Sequence, residues 1–116
     1  MVRILVLGGG LPAYFEASEE EKLSVFQPAF RAMLADWEAA GARVVASFCD
    51  DVLQVGPAAP GRWSWYLVFD VDDLDVPIAM MNRVRTEAGG VRLDHYIQFE
   101  VRVGRPFWAR EETGAA

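Results

Sequence analysis

Residues 63–71, WSWYLVFDV, decide the fold. Aromatic and branched side chains suit a pleated, extended backbone. Successive side chains on a strand point to opposite faces. Trp63, Trp65, Leu67 and Phe69 therefore share one face, and Tyr66 and Val68 share the other. A sheet with one wet face alternates apolar with polar residues. This strand is apolar on both faces and predicts a sheet covered on two sides. Residues 2–7, VRILVL, repeat the pattern, with Val2, Ile4 and Val6 on one face and Leu5 and Leu7 on the other.

Working outward, Gly8, Gly9 and Gly10 predict the end of the first strand. A loop holding Pro12, Tyr14 and Phe15 follows. Ser18 with Glu21 forms a capping box, and Glu19 and Glu20 suit the positive end of a helix dipole. Leu23, Phe26, Phe30, Met33, Leu34 and Trp37 recur at spacings of three and four, the apolar stripe of a helix ending near Ala40 and Gly41. Pro28 removes a backbone donor inside that helix and predicts a kink or break. Residues 43–49 read as a second strand, Asp50 and Asp51 as a turn, and 52–55 as a short strand extension. Asp72, Asp73 and Asp75 before Pro77 predict the start of a second helix. Its stripe is Pro77, Met80, Met81, Val84 and Ala88, and Gly89 and Gly90 stop it. Residues 92–103 read as a long fourth strand.

The order strand, helix, strand, strand, helix, strand defines an α+β class. It is the ferredoxin-like βαββαβ arrangement, a four-stranded antiparallel sheet with two helices on one face. The 116 residues make one domain over 1–109, with a flexible C-terminal tail over 110–116. The second apolar sheet face predicts an association surface. Its simplest cover is a second copy packed sheet to sheet, through the face carrying Tyr66, Val68, Tyr96 and Gln98.

Charge and composition narrow the partners. Eleven basic against 17 acidic residues give a net charge of −6, which disfavours nucleic acid and anionic membrane surfaces. One cysteine, Cys49, excludes an intrachain disulfide framework. No apolar run approaches the ~20 residues of a membrane span. These features predict a soluble cytoplasmic protein.

Motifs of familiar chemistry read as structural. Gly8-x-Gly10-x-x-Ala13 imitates a dinucleotide fingerprint, but Pro12 and two aromatics separate the glycines from the helix, and the later acidic residue is missing. The aspartates at 50, 51, 70, 72, 73 and 75 lack the ligand order of a calcium loop and suit turns and caps. His95 is the sole histidine, placed at the open end of an apolar face with Ile97, Phe99, Val101 and Val103. No metal and no cofactor are expected. The opposite face of the fourth strand, with Asp94, Tyr96, Gln98, Glu100 and Arg102, is the most informative pattern. It predicts a polar wall in an aromatic cavity. Arg102 would hold a carboxylate, Glu100 would transfer a proton, and Tyr66 and Tyr96 would donate hydrogen bonds. Gln98 completes the wall, and Tyr14 and Phe15 form a closing lid over it. The partner this site predicts is a small aromatic acid.

Element order and size resemble the dimeric α/β-barrel superfamily over about residues 1–108. That resemblance implies a homodimer and cofactor-independent chemistry on small aromatic compounds, as in its monooxygenases, isomerases and decarboxylases. Three segments, Tyr14-Phe15-Glu16-Ala17-Ser18, Asp50-Asp51 through Val55-Gly56-Pro57, and Val101-Arg102-Val103-Gly104-Arg105, resemble the IacB-like proteins encoded with indole-3-acetate catabolic enzymes. They imply a role around an indole-like acid. The alternative is a non-catalytic accessory protein that delivers a ligand to a pathway enzyme.

Overall fold

The computed structural model describes residues 2–56 and 62–107. The tail predicted over 110–116 lies outside them. Four strands form one sheet: β1 (Val2–Gly10), β2 (Arg43–Cys49), β3 (Trp65–Val71) and β4 (Ile97–Gly104), in the order β2-β3-β1-β4. Every neighbouring pair is antiparallel. Helix α1 spans Pro12–Glu16. A longer helix, α2, runs continuously over 19–39, and α3 spans Asp75–Val84. The chain is therefore α+β and compatible with the ferredoxin-like arrangement. No described helix is long and apolar enough to cross a membrane.

The apolar stripes do what their spacing predicts. Met33 and Trp37 of α2 and Met80 and Val84 of α3 are buried with Ile4, Val6, Phe69 and Val71 of the sheet. All four sheet residues share one face, so the helices cover that face. Trp37 meets the rings of Phe69 and Phe99 edge-on, and its indole N–H donates to the Met80 carbonyl at 3.0 Å. That bond satisfies the polar atom of an otherwise apolar ring. The opposite face carries Leu5, Leu7, Val68 and Tyr66, with Arg3 clasping Asp70 through two bonds of 2.8 and 3.0 Å. The Arg3 guanidinium holds the Asp70 carboxyl below its ordinary range.

Several boundaries differ from the sequence reading, each for a local reason. β1 continues through all three glycines, because Gly8 pairs with Trp65 and Phe99 and Gly10 pairs with Ile97. The expected loop over 12–16 is the short helix α1, begun by Pro12 at its first turn. The break expected at Pro28 is a single wide turn, Lys22–Phe26, in which the Gln27 N–H donates to the Lys22 carbonyl five residues back. Residues 52–55 add no strand. The third strand opens at Trp65, two residues later than the reading from Trp63. The second helix ends at Val84, short of Ala88. Gly89 and Gly90, both at positive φ, then make a two-residue turn that pairs Ala88 with Val91.

The fourth strand departs most. Leu93–His95 is a 3₁₀ turn, and Tyr96 keeps a helical backbone with φ −99° and ψ −33°. Alternation begins only at Ile97. Tyr96 therefore does not share the face of Gln98, Glu100 and Arg102, as the sequence reading had it. It is buried on the helix side with Phe26.

Candidate functional site

A cavity of about 470 Å³ opens at one end of the sheet, where β1 and β2 finish and β3 and β4 begin. Its volume falls within the roughly 300–1,000 Å³ of small-molecule sites. Of the glycine run, Gly10 lines it and Gly8 packs against the lining residue Trp65. A Cβ on Gly8 would lie 2.1 Å from the Trp65 ring, and one on Gly10 would lie 2.7 Å from the Phe15 ring. Side chains at these positions would occupy the space the rings need. The glycines thus serve close packing, and no dinucleotide loop forms.

Aromatic rings make the walls. Phe26 and Phe30 come from α2, stacked at 5.7 Å between ring centres. Tyr14 meets Phe26 edge-on at 5.0 Å and Phe15 at 5.5 Å. Trp65 meets Phe30 edge-on at 5.6 Å. On the other face of the sheet, Phe48 and Tyr66, opposed on β2 and β3, stack at 5.0 Å. Phe15 is 68% exposed, so its ring stands open to solvent at the mouth. The lining residues are mostly apolar or aromatic, and none of them is charged.

Tyr66 Oη donates to Asp50 Oδ2 at 2.8 Å. That bond pushes the Tyr66 hydroxyl above its ordinary pKa and keeps it protonated. Tyr96 Oη donates to Glu21 Oε2 at 2.6 Å, with the same effect on Tyr96. Ser18 Oγ accepts from the Glu21 N–H at 3.1 Å, as the capping box predicts. The Glu21 carboxylate accepts the Tyr96 hydroxyl proton, tying the start of α2 to the start of β4.

Of the seven residues predicted to form the site, Tyr14 and Phe15 line this cavity, and Tyr66 borders it from a strand while its side chain takes the other sheet face. Tyr96 stands behind Phe26, outside the lining. Gln98 lies across from Gly9 on the sheet face away from the helices. Glu100 and Arg102 share that face and bind each other at 2.7 Å. Two strand residues of like parity put opposite charges side by side, and the pair forms without a ligand. The acid-binding wall predicted on β4 is thus separate from the aromatic cavity, with the sheet between them. His95 is exposed, edge-on to Tyr96, and no group of metal-ligating side chains occurs among the described residues. Arg83 binds Asp36 at 2.6 Å and joins α3 to α2.

Sequence reasoning assigned Phe26, Phe30 and Trp65 to a closed core and Asp50 to a turn. The missed signal was a pairing of sizes, glycines packed against large rings on one sheet face. No family model, curated protein or solved structure matches the chain.

Proposed function

We propose that this chain binds a small planar aromatic compound in the cavity between α1, α2 and the sheet end. One observation carries the reading: a cavity of about 470 Å³ is lined by Tyr14 and Phe15 of α1, Phe26 and Phe30 of α2 and Trp65 of β3. Ring-on-ring contacts add about 0.5–1.5 kcal/mol each beyond area burial. The cavity walls among the described residues carry no cation, so the ring, not a carboxylate, supplies the affinity. Ser47→Trp tests this. Ser47 is exposed on an edge strand, so the fold tolerates the change, and the indole fills the cavity. Calorimetry with 2-naphthol should show saturable binding by the wild type and at least a tenfold loss in the variant. Equal binding by the two proteins contradicts the reading.

A role as a carrier or accessory protein in aromatic metabolism follows most simply from a wall of rings. Cofactor-independent oxygenation or isomerisation, which the dimeric-barrel and IacB-like resemblances imply, would use the same wall to orient and desolvate the ring.

We also propose that a second copy covers the open sheet face, completing a dimeric α/β barrel. Half-buried Leu5 and Val68 and exposed Phe48 support this, because apolar area of this kind marks association surfaces. Sedimentation at micromolar concentration should give a dimer, and Val68→Asp should give a monomer, since a charge is costly to desolvate in an apolar interface. A wild-type monomer removes the proposal.

A further inference from the structure

Two features of the cavity bear on the charge of what it takes. None of the described residues that line it is charged, while rings line it from α1, α2 and β3. The whole chain carries a net charge of −6. The face of an aromatic ring is negative and its edge positive. Trp65 lies face-down on the sheet: a Cβ built on Gly8 would stand 2.1, 2.1 and 2.3 Å from its ring atoms Cη2, Cζ2 and Cε2. At such distances, three consecutive ring atoms are almost equally near only to a point above the ring plane. The opposite indole face is therefore turned from β1 toward the helix layer, on the side of the cavity. Phe30 stands at 86° to that indole, Tyr14 at 68° to Phe26 and Phe15 at 85° to Tyr14. The rings thus turn around the space instead of stacking along one side. One of them already holds a cation: Lys22 Nζ lies over the Tyr14 ring, 4.9 Å from its centre. That ammonium is also paired with Glu19 at 3.6 Å, which offsets its charge.

We infer that the cavity takes planar aromatic cations of the N-alkylated heterocycle class in preference to neutral rings, and disfavours aromatic carboxylates. The inference rests on the ring-binding function proposed above and goes further by naming the charge and class of the ligand. A cation within about 6 Å of a ring centre is attracted by the negative face, most strongly by that of Trp. An N-alkylated nitrogen carries its charge without an N–H, so it leaves no donor unsatisfied among rings. A carboxylate brings a strongly hydrated anion to a lining with no cation among its described residues to replace the lost water. The net negative charge of the chain acts in the same sense at longer range.

The test uses N-methylquinolinium, 2-naphthol and 2-naphthoate, fused two-ring compounds that are cationic, neutral and anionic at neutral pH. Calorimetry gives their affinities for the wild type, Trp65→Leu and Phe30→Leu. Each is measured at about 0.1 M and about 1 M salt, where the screening length falls from about 10 Å to about 3 Å. The wild type should bind the cation about tenfold more tightly than 2-naphthol, with 2-naphthoate weakest, and this order should survive high salt. Leucine keeps apolar bulk but removes the ring, so each variant should lose more affinity for the cation than for 2-naphthol. Circular dichroism checks that the variants fold, and Phe30→Leu carries the comparison if Trp65→Leu does not. A preference that disappears at high salt, or that no folded variant reduces, overturns the selection by rings. Tightest binding of 2-naphthoate overturns it as well and assigns Lys22 to an acid. Equal binding of all three compounds overturns the selection and leaves ring binding standing. Failure of the wild type to bind any of them overturns ring binding and the selection together.

Discussion

Two tyrosine hydroxyls tie together the elements that surround the cavity. Tyr66 and Tyr96 each donate a hydrogen bond to a carboxylate, Asp50 and Glu21, and both ionise above the ordinary tyrosine value near 10. A raised folded pKa stabilises the fold fully below the unfolded value, and that contribution is lost as pH rises through the folded value. Tyrosinate absorbance followed from pH 8 to 13 should show this delay, and Asp50→Asn should bring the Tyr66 transition to lower pH while leaving that of Tyr96. A Tyr66 transition indifferent to Asp50 would show that the bond does not hold in solution. The glycines were legible in the sequence as a run but not as a packing surface for rings. A glycine triplet after an aliphatic strand has the pattern of a strand end, and only the opposed Trp65 and the returning Phe15 give it another use. Tyr66 was placed on its sheet face correctly by alternation. Tyr96 was misplaced because alternation holds only for extended backbone, and its residue is helical.

At the level of elements, α2 divides into two halves with different work. Its C-terminal half buries Met33 and Trp37 completely, whereas Phe26 and Phe30 before it are only half-buried and face the cavity. The wide turn of Lys22–Phe26 lies next to Pro28, whose missing N–H leaves the Ser24 carbonyl without its usual partner. Met33→Ala should therefore cost about 2–5 kcal/mol in urea denaturation. Phe30→Ala should cost clearly less, because the space it leaves adjoins one already open. Equal costs would mean that the cavity is closed in solution. The helix stripes, the capping box and the strand alternation were readable because each rests on local periodicity. The short helix α1 and the 3₁₀ turn before β4 were not, since tertiary contacts decide such short pieces: the Leu11 N–H donates to the Tyr96 carbonyl at 2.8 Å and joins the two. The β2 strand was read correctly in extent, but nothing in RVVASFC announced that it would be exposed along its length.

Across the whole molecule, the sheet separates two surfaces that the sequence reading had merged. On the helix side lies the aromatic cavity, with Gly10, Phe26, Phe30 and Trp65 around it. On the other side lie Gln98 and the Glu100–Arg102 pair, in the region proposed to meet a second copy. Element order and the doubly apolar strands predicted the layers. They did not predict which layer holds the cavity, because the decisive space lies between residues far apart in the chain. The most direct test is a backbone amide shift map of the ¹⁵N-labelled protein titrated with 2-naphthol. Saturable shifts should cluster at Gly10, Phe26, Phe30, Ser47 and Trp65, with Gln98, Glu100 and Arg102 unmoved. Saturable shifts confined to the Gln98–Arg102 row, or no saturable shift anywhere, would contradict the cavity as the binding site.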